Sequence, residues 1–114
     1  MNYEDYEQTL QEEIDFLSRS FLLNISWKIK GRYDAYLFFQ NTLKTSETDY
    51  NLFIDSILNE ISNTKLLIPL SAFKNTPDKM LGLKNSNTKY LKSKINTLFN
   101  LLIDYHDVFS KNNY

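Results

Sequence analysis

Residues 90–109 read YLKSKINTLFNLLIDYHDVF and carry apolar side chains at alternating spacings of four and three. The recurring apolar positions are Leu91, Ile95, Leu98, Leu102, Tyr105 and Phe109. This spacing places all of them on one stripe of an α-helix, and such a stripe needs cover from other helices. The sequence therefore predicts an all-α fold.

The size and composition of the chain fit one helical domain spanning residues 1–114. At 114 residues the chain is long enough to bury a core without disulfides. It contains only two Gly and two Pro, so few positions must break regular structure, while eight Tyr and eight Phe supply bulky core residues. We predict a bundle of three to four long helices, with one short extra helix in a long connection.

The first helix is predicted from apolar residues at helical spacing and from acids in its first turns. The apolar residues are Tyr3, Tyr6, Leu10, Ile14, Leu17 and Phe21. Residues 23–30 also alternate as a strand would, but no neighbouring strand is available for pairing, so a second helix is the better interpretation. The pattern leaves open whether residues 3–44 form one helix or two. Gly31 marks either a kink or a close approach of another backbone.

The third helix is predicted over residues 47–62, because Ser46 and Asp49 have the spacing of a capping box. The pattern then breaks up over residues 63–87. Within this connection, Thr76-Pro77-Asp78 predicts a short helix at 77–81. Long connections of this kind are often functional, so we expect an interface to include Phe73 and Met80.

Charge is distributed unevenly along the sequence. The first fifteen residues hold six acids and no base, and residues 65–94 hold seven lysines against Asp78 alone. If the N-terminal and C-terminal helices are parallel, the two blocks can neutralise each other. If four helices alternate in direction, the blocks lie at opposite ends and each is available to a charged partner.

Catalytic and metal-binding motifs are lacking in the sequence. No cysteine is present, and His106 is the only histidine. Helical nucleases of the HEPN group carry an arginine several residues before such a histidine, but Asn100 stands there in this chain. A nuclease-like enzyme using His106 is therefore the least favoured alternative. We predict a protein that is not an enzyme and that uses no metal or cofactor.

Localisation is predicted from the N-terminus and from hydropathy. Signal peptides begin with basic residues, whereas this sequence has acidic residues at positions 4, 5 and 7. No apolar run is long enough to span a membrane. We expect a cytoplasmic protein without a membrane partner.

These observations favour a small protein-binding module. Its composition, rich in Asn, Lys and Ile, is typical of a phage or mobile-element regulator, such as an inhibitor that masks a partner protein. The partner is another protein or a second copy of the chain. The candidate contact residues are Glu4, Asp5, Glu7, Glu12, Glu13, Phe73 and Met80.

The alternative is nucleic-acid binding through the Lys-rich region 79–94. Its candidate contacts are Lys84, Lys89, Lys92 and Lys94. Against it, the sequence offers only Arg32 near Lys28 and Lys30 as a second basic cluster. The near-zero net charge of −1 argues against this alternative.

Overall fold

A computed structural model of the chain describes residues 3–24, 26–46, 49–68 and 84–112. These residues form four helices, which confirms the predicted all-α bundle. The helices are α1 (Tyr3–Leu23), α2 (Trp27–Thr45), α3 (Tyr50–Leu66) and α4 (Lys84–Asn112). The predicted short helix at 77–81 lies outside the described residues, as do Phe73 and Met80.

The first two helices are separate, which answers the question that the sequence pattern left open. The N-cap of α2 is Ser26, whose hydroxyl accepts a hydrogen bond from the Ile29 backbone N–H at 3.4 Å. Such a cap satisfies a backbone donor that a helix start would otherwise leave unpaired. The polar residues before Trp27 therefore start a new helix rather than continue the first.

The third helix begins later and ends later than predicted. Its N-cap is Asp49, whose carboxylate accepts a hydrogen bond from the Leu52 N–H at 3.0 Å. The predicted start at residue 47 is wrong because Ser46 closes the preceding helix: its N–H donates to the Thr42 carbonyl at 3.0 Å. The extended backbone of Asp49 then sets the start of α3 at Tyr50.

The fourth helix extends well before the apolar stripe. It starts at Lys84, so Lys89 already lies beyond the first turn, where the helix dipole has little effect. Lys89, Lys92 and Lys94 therefore lie within the helix and not in its first turn. The predicted connection at 63–87 also shrinks, because α3 and α4 both extend into it.

The helices alternate in direction along the bundle. Antiparallel α1 and α2 are joined by Glu13–Arg32 and Gln11–Gln40 contacts. Helices α2 and α4 are parallel, because Lys28 contacts Ser93 near the start of both helices and Phe39 contacts Tyr105 further along both. Antiparallel α3 and α4 share the Glu60–Lys94 and Tyr50–His106 contacts. The N-terminus of α1 and the N-terminus of α4 are consequently at opposite ends.

The largest helix contact joins α2 and α4, and it depends on Gly31. A Cβ added to Gly31 would lie 2.5 Å from the Tyr90 carbonyl oxygen and 2.9 Å from the Ser93 Cβ. Beside it, the Ser93 hydroxyl donates to the Lys28 carbonyl at 2.6 Å. Gly31 therefore permits a close backbone approach, which was one of its two predicted roles.

The core is aromatic and centres on Tyr105. Its ring contacts those of Phe53 at 4.9 Å, Tyr6 at 5.5 Å and Phe39 at 6.0 Å between centroids. These three partners come from α3, α1 and α2, so one α4 side chain joins all four helices. Phe39 and Phe53 are almost completely buried, and such tilted ring pairs add to the gain from area burial.

We expect Gly31→Ala to destabilise the protein. Helix propensity alone would favour Ala by about 1 kcal/mol, but the added Cβ would force α2 and α4 apart, and overpacking costs about 1–3 kcal/mol. Urea unfolding followed by circular dichroism measures the difference, with Ser62→Ala on the exposed side of α3 as the control. A Gly31→Ala protein more stable than wild type would contradict the close approach.

Candidate functional site

Five exposed carboxylates cover the outer side of α1, and we call this surface the acidic face. Its members are Glu4, Asp5, Glu7, Glu12 and Asp15. The Gln8 amide donates to Glu12 at 3.2 Å, and the Gln11 amide donates to Asp15 at 3.0 Å. These bonds orient two carboxylates without neutralising them.

Glu13 differs from the other predicted acidic contacts. It is only partly exposed and pairs with Arg32 of α2, with 3.3 Å between Oε1 and the guanidinium nitrogen. This ion pair links α1 to α2 rather than presenting charge to solvent. Glu13 therefore lies outside the acidic face, although the sequence placed it among the candidate contact residues.

The predicted lysine cluster is divided by the structure. The Lys94 ammonium pairs with Glu60 of α3 at 2.8 Å and is mostly buried, so this residue ties two helices together. Lys89 and Lys92 lie instead at a surface depression beside α2. The side chain of Lys84 lies outside the described residues. Of the four predicted nucleic-acid contacts, two therefore share a surface.

A groove runs between α2 and α4, and we call it the α2–α4 groove. Its narrow part has a volume of about 300 Å³, and its wide part, toward the start of both helices, has a volume of about 710 Å³. Lys28, Ser93 and Asn96 line both parts, which makes the groove continuous. The residues that line only one part include Arg32, Tyr36, Asn100 and Asp104 in the narrow part, and Trp27, Lys89 and Lys92 in the wide part.

Spacing along both helices explains how the groove forms. Lys28, Arg32 and Tyr36 recur every four residues on α2, and Asn96, Asn100 and Asp104 do so on α4. Residues four apart share one helix face, so each helix gives one polar stripe. The sequence showed the basic cluster on α2, but the amide stripe on α4 becomes recognisable only once the two helices are paired.

The Tyr6 hydroxyl is buried in the core. It has no hydrogen-bond partner among the described residues. Burial raises the pKa of Tyr6, and the charge of Asp104 raises it further.

His106 occupies an exposed position on α4. Its Nδ1 lies 2.7 Å from the Tyr50 hydroxyl of α3. This contact joins the two helices and gives the histidine a structural partner. Across the described ranges, no cluster of three or more His, Cys, Asp or Glu side chains is arranged to hold a metal ion.

Comparison with known proteins gives no relative. No family model, characterised sequence or solved structure matches this chain. Within the part of the chain that the structure describes, none of the helices is both long and apolar enough to cross a membrane.

The buried phenols predict a loss of stability in alkali. Burial, followed by the neighbouring Tyr3 and Tyr50, raises the pKa of Tyr105 to about 12. An unfolded tyrosine ionises near pH 10. Between about pH 10 and 12 the unfolded state therefore loses the proton first, and the free energy of unfolding falls as pH rises.

Urea unfolding at pH values from 8 to 11.5 tests this prediction, with Tyr6→Phe/Tyr105→Phe as the comparison. The wild-type protein should lose stability more steeply above about pH 10 than the double variant, which lacks both ionisable groups. Equal slopes for the two proteins would show that these phenols do not control the alkaline response.

Proposed function

We propose that this protein is a non-enzymatic binding module whose acidic face contacts a basic surface on another protein. The observation that carries the proposal is the set of five exposed carboxylates on α1. Three of them, Glu4, Asp5 and Glu7, lie at the far end of the bundle from Lys89 and Lys92, because the start of α1 packs against Tyr105 near the end of α4. The lysines of α4 therefore do not neutralise these three carboxylates.

The fixed orientation of two of these carboxylates supports a binding role. Glu12 and Asp15 are held by glutamines one turn earlier on the same helix, so less side-chain freedom is lost when a partner binds. Phe16, which is 53% exposed, follows directly on α1 and offers an apolar contact beside the charges. Charged surfaces of this kind accelerate association and select complementary partners.

A basic protein surface is a frequent site for nucleic acid, and the acidic face can occupy such a surface in competition with it. We therefore extend the proposal to an inhibitor or regulator that masks its partner in the cytoplasm. The composition of the chain supports an origin in a phage or mobile element. The alternative partner is a second copy of the chain, whose lysines would meet the acidic face.

We expect Glu12→Gln/Asp15→Asn to lose its protein partner. The matched control is Asp55→Asn/Asp107→Asn, which removes two exposed carboxylates from α3 and α4. Quantitative capture from a host lysate, after nuclease treatment, compares these proteins with wild type. A partner retained by the control but reduced about tenfold or more with the α1 variant supports the proposal.

One result of the capture experiment would contradict the proposed role of the acidic face. Equal recovery of every bound protein by the α1 variant and the control would exclude the acidic face as the contact. Sedimentation of the purified protein adds the self-association outcome: a dimer that dissociates in the α1 variant would identify the second copy as the partner.

A further inference from the structure

The α2–α4 groove carries cations that the proposed protein-binding role does not use. Lys28, Lys89 and Lys92 surround its wide part, whereas Arg32 of the narrow part is already paired with Glu13. Among the described residues, no carboxylate lines the wide part, and Asp104 is the carboxylate of the narrow part. Within the described ranges, no ion pair involves Lys28 or Lys89. The wide part is therefore a positive surface suited to an anionic ligand.

The dimensions of the groove fit an extended ligand. From Lys89 to Asp104 the groove follows fifteen residues of α4, or about 22 Å at 1.5 Å per residue. Packed helices are about 8–10 Å apart, so a groove between them accepts a single strand but not a double helix. The ligand is accordingly long, narrow and anionic.

Other side chains distinguish nucleic acid from an acidic peptide. Trp27 lines the wide part among the lysines and is 49% exposed, so an aromatic surface on which bases stack is available to a ligand there. Asn96 and Asn100 add amide groups that both donate and accept hydrogen bonds, as base edges require. An acidic peptide would use the cations and would pair its backbone with the amides, but Asp and Glu side chains have no planar ring to stack on Trp27. The exposed indole is therefore the feature that favours nucleic acid.

We propose that the α2–α4 groove binds single-stranded nucleic acid. Lysines of the wide part contact phosphates, Trp27 stacks on a base, and the asparagines lie along the path toward Asp104. This site is separate from the acidic face, so either activity can fail without the other.

The fluorescence of Trp27 reports binding at the groove, because Trp27 is the only tryptophan in the chain. Titration with a twelve-nucleotide oligothymidylate should quench its fluorescence, and anisotropy of the labelled oligonucleotide should report the same affinity. We expect affinity to fall steeply with salt, because each phosphate contact releases a counterion. An oligouridylate of equal length distinguishes DNA from RNA, and binding of either one supports the proposal.

The test variant is Lys28→Gln/Lys89→Gln, and the matched control is Lys44→Gln/Lys65→Gln, two exposed lysines away from the groove. The groove variant should bind at least tenfold more weakly at low salt, with a salt slope smaller by about 1.4, and the control should match wild type. Circular dichroism confirms that both variants are folded.

Three results would overturn the proposal. The first is the absence of both quenching and anisotropy change at low salt. The second is equal binding by a duplex of the same length, which the groove cannot admit. The third is equal binding and equal quenching by a poly-glutamate peptide, which would assign the groove to acidic protein segments.

Discussion

The close approach of α2 and α4 at Gly31 is the constraint on which the rest of the structure depends. Where a Cβ would meet the Tyr90 carbonyl oxygen at 2.5 Å, only glycine lets the two backbones lie together. The Ser93–Lys28 hydrogen bond fixes the register at the same point. With this parallel pair fixed, α1 packs against α2, and α3 packs chiefly against α4. The aromatic contacts of Tyr105 hold the other end of the bundle.

This arrangement determines where charge can act. Because consecutive helices alternate in direction, the first acids of α1, Glu4, Asp5 and Glu7, lie at the opposite end from the lysines of α4. Glu13 forms an ion pair with Arg32, and Lys94 forms one with Glu60. A chain with a net charge of only −1 thereby presents two separate surfaces of opposite sign. The acidic face is convex and suits a protein surface, whereas the positive α2–α4 groove is concave and suits a strand.

The sequence predicted the features that depend on periodicity. The apolar stripe at 90–109 gave the all-α fold and placed Tyr105 on the buried side of the last helix, and Gly31 was identified as a kink or a close backbone approach. Helix boundaries were less predictable, because Ser46 and Asp49 are both good caps and only backbone geometry shows which helix each one serves. The pairing of charge blocks and the groove depend on which helices are neighbours. No local pattern contains that information, so both had to come from the tertiary arrangement.

Separation of the two charged surfaces is the central claim, and a distance measurement tests it most directly. The chain lacks cysteine, so spin labels can be placed uniquely at Gln8→Cys and Lys89→Cys, with Gln8→Cys/Asp107→Cys as the same-end control. The spin–spin distance from pulsed electron paramagnetic resonance should exceed about 20 Å for the first pair, because positions 8 and 89 differ by about twelve or more helical residues along the bundle axis. The control pair should give a shorter distance. A distance of about 10 Å for the first pair, typical of neighbouring helices at one level, would contradict the alternating bundle and the separation of charge derived from it.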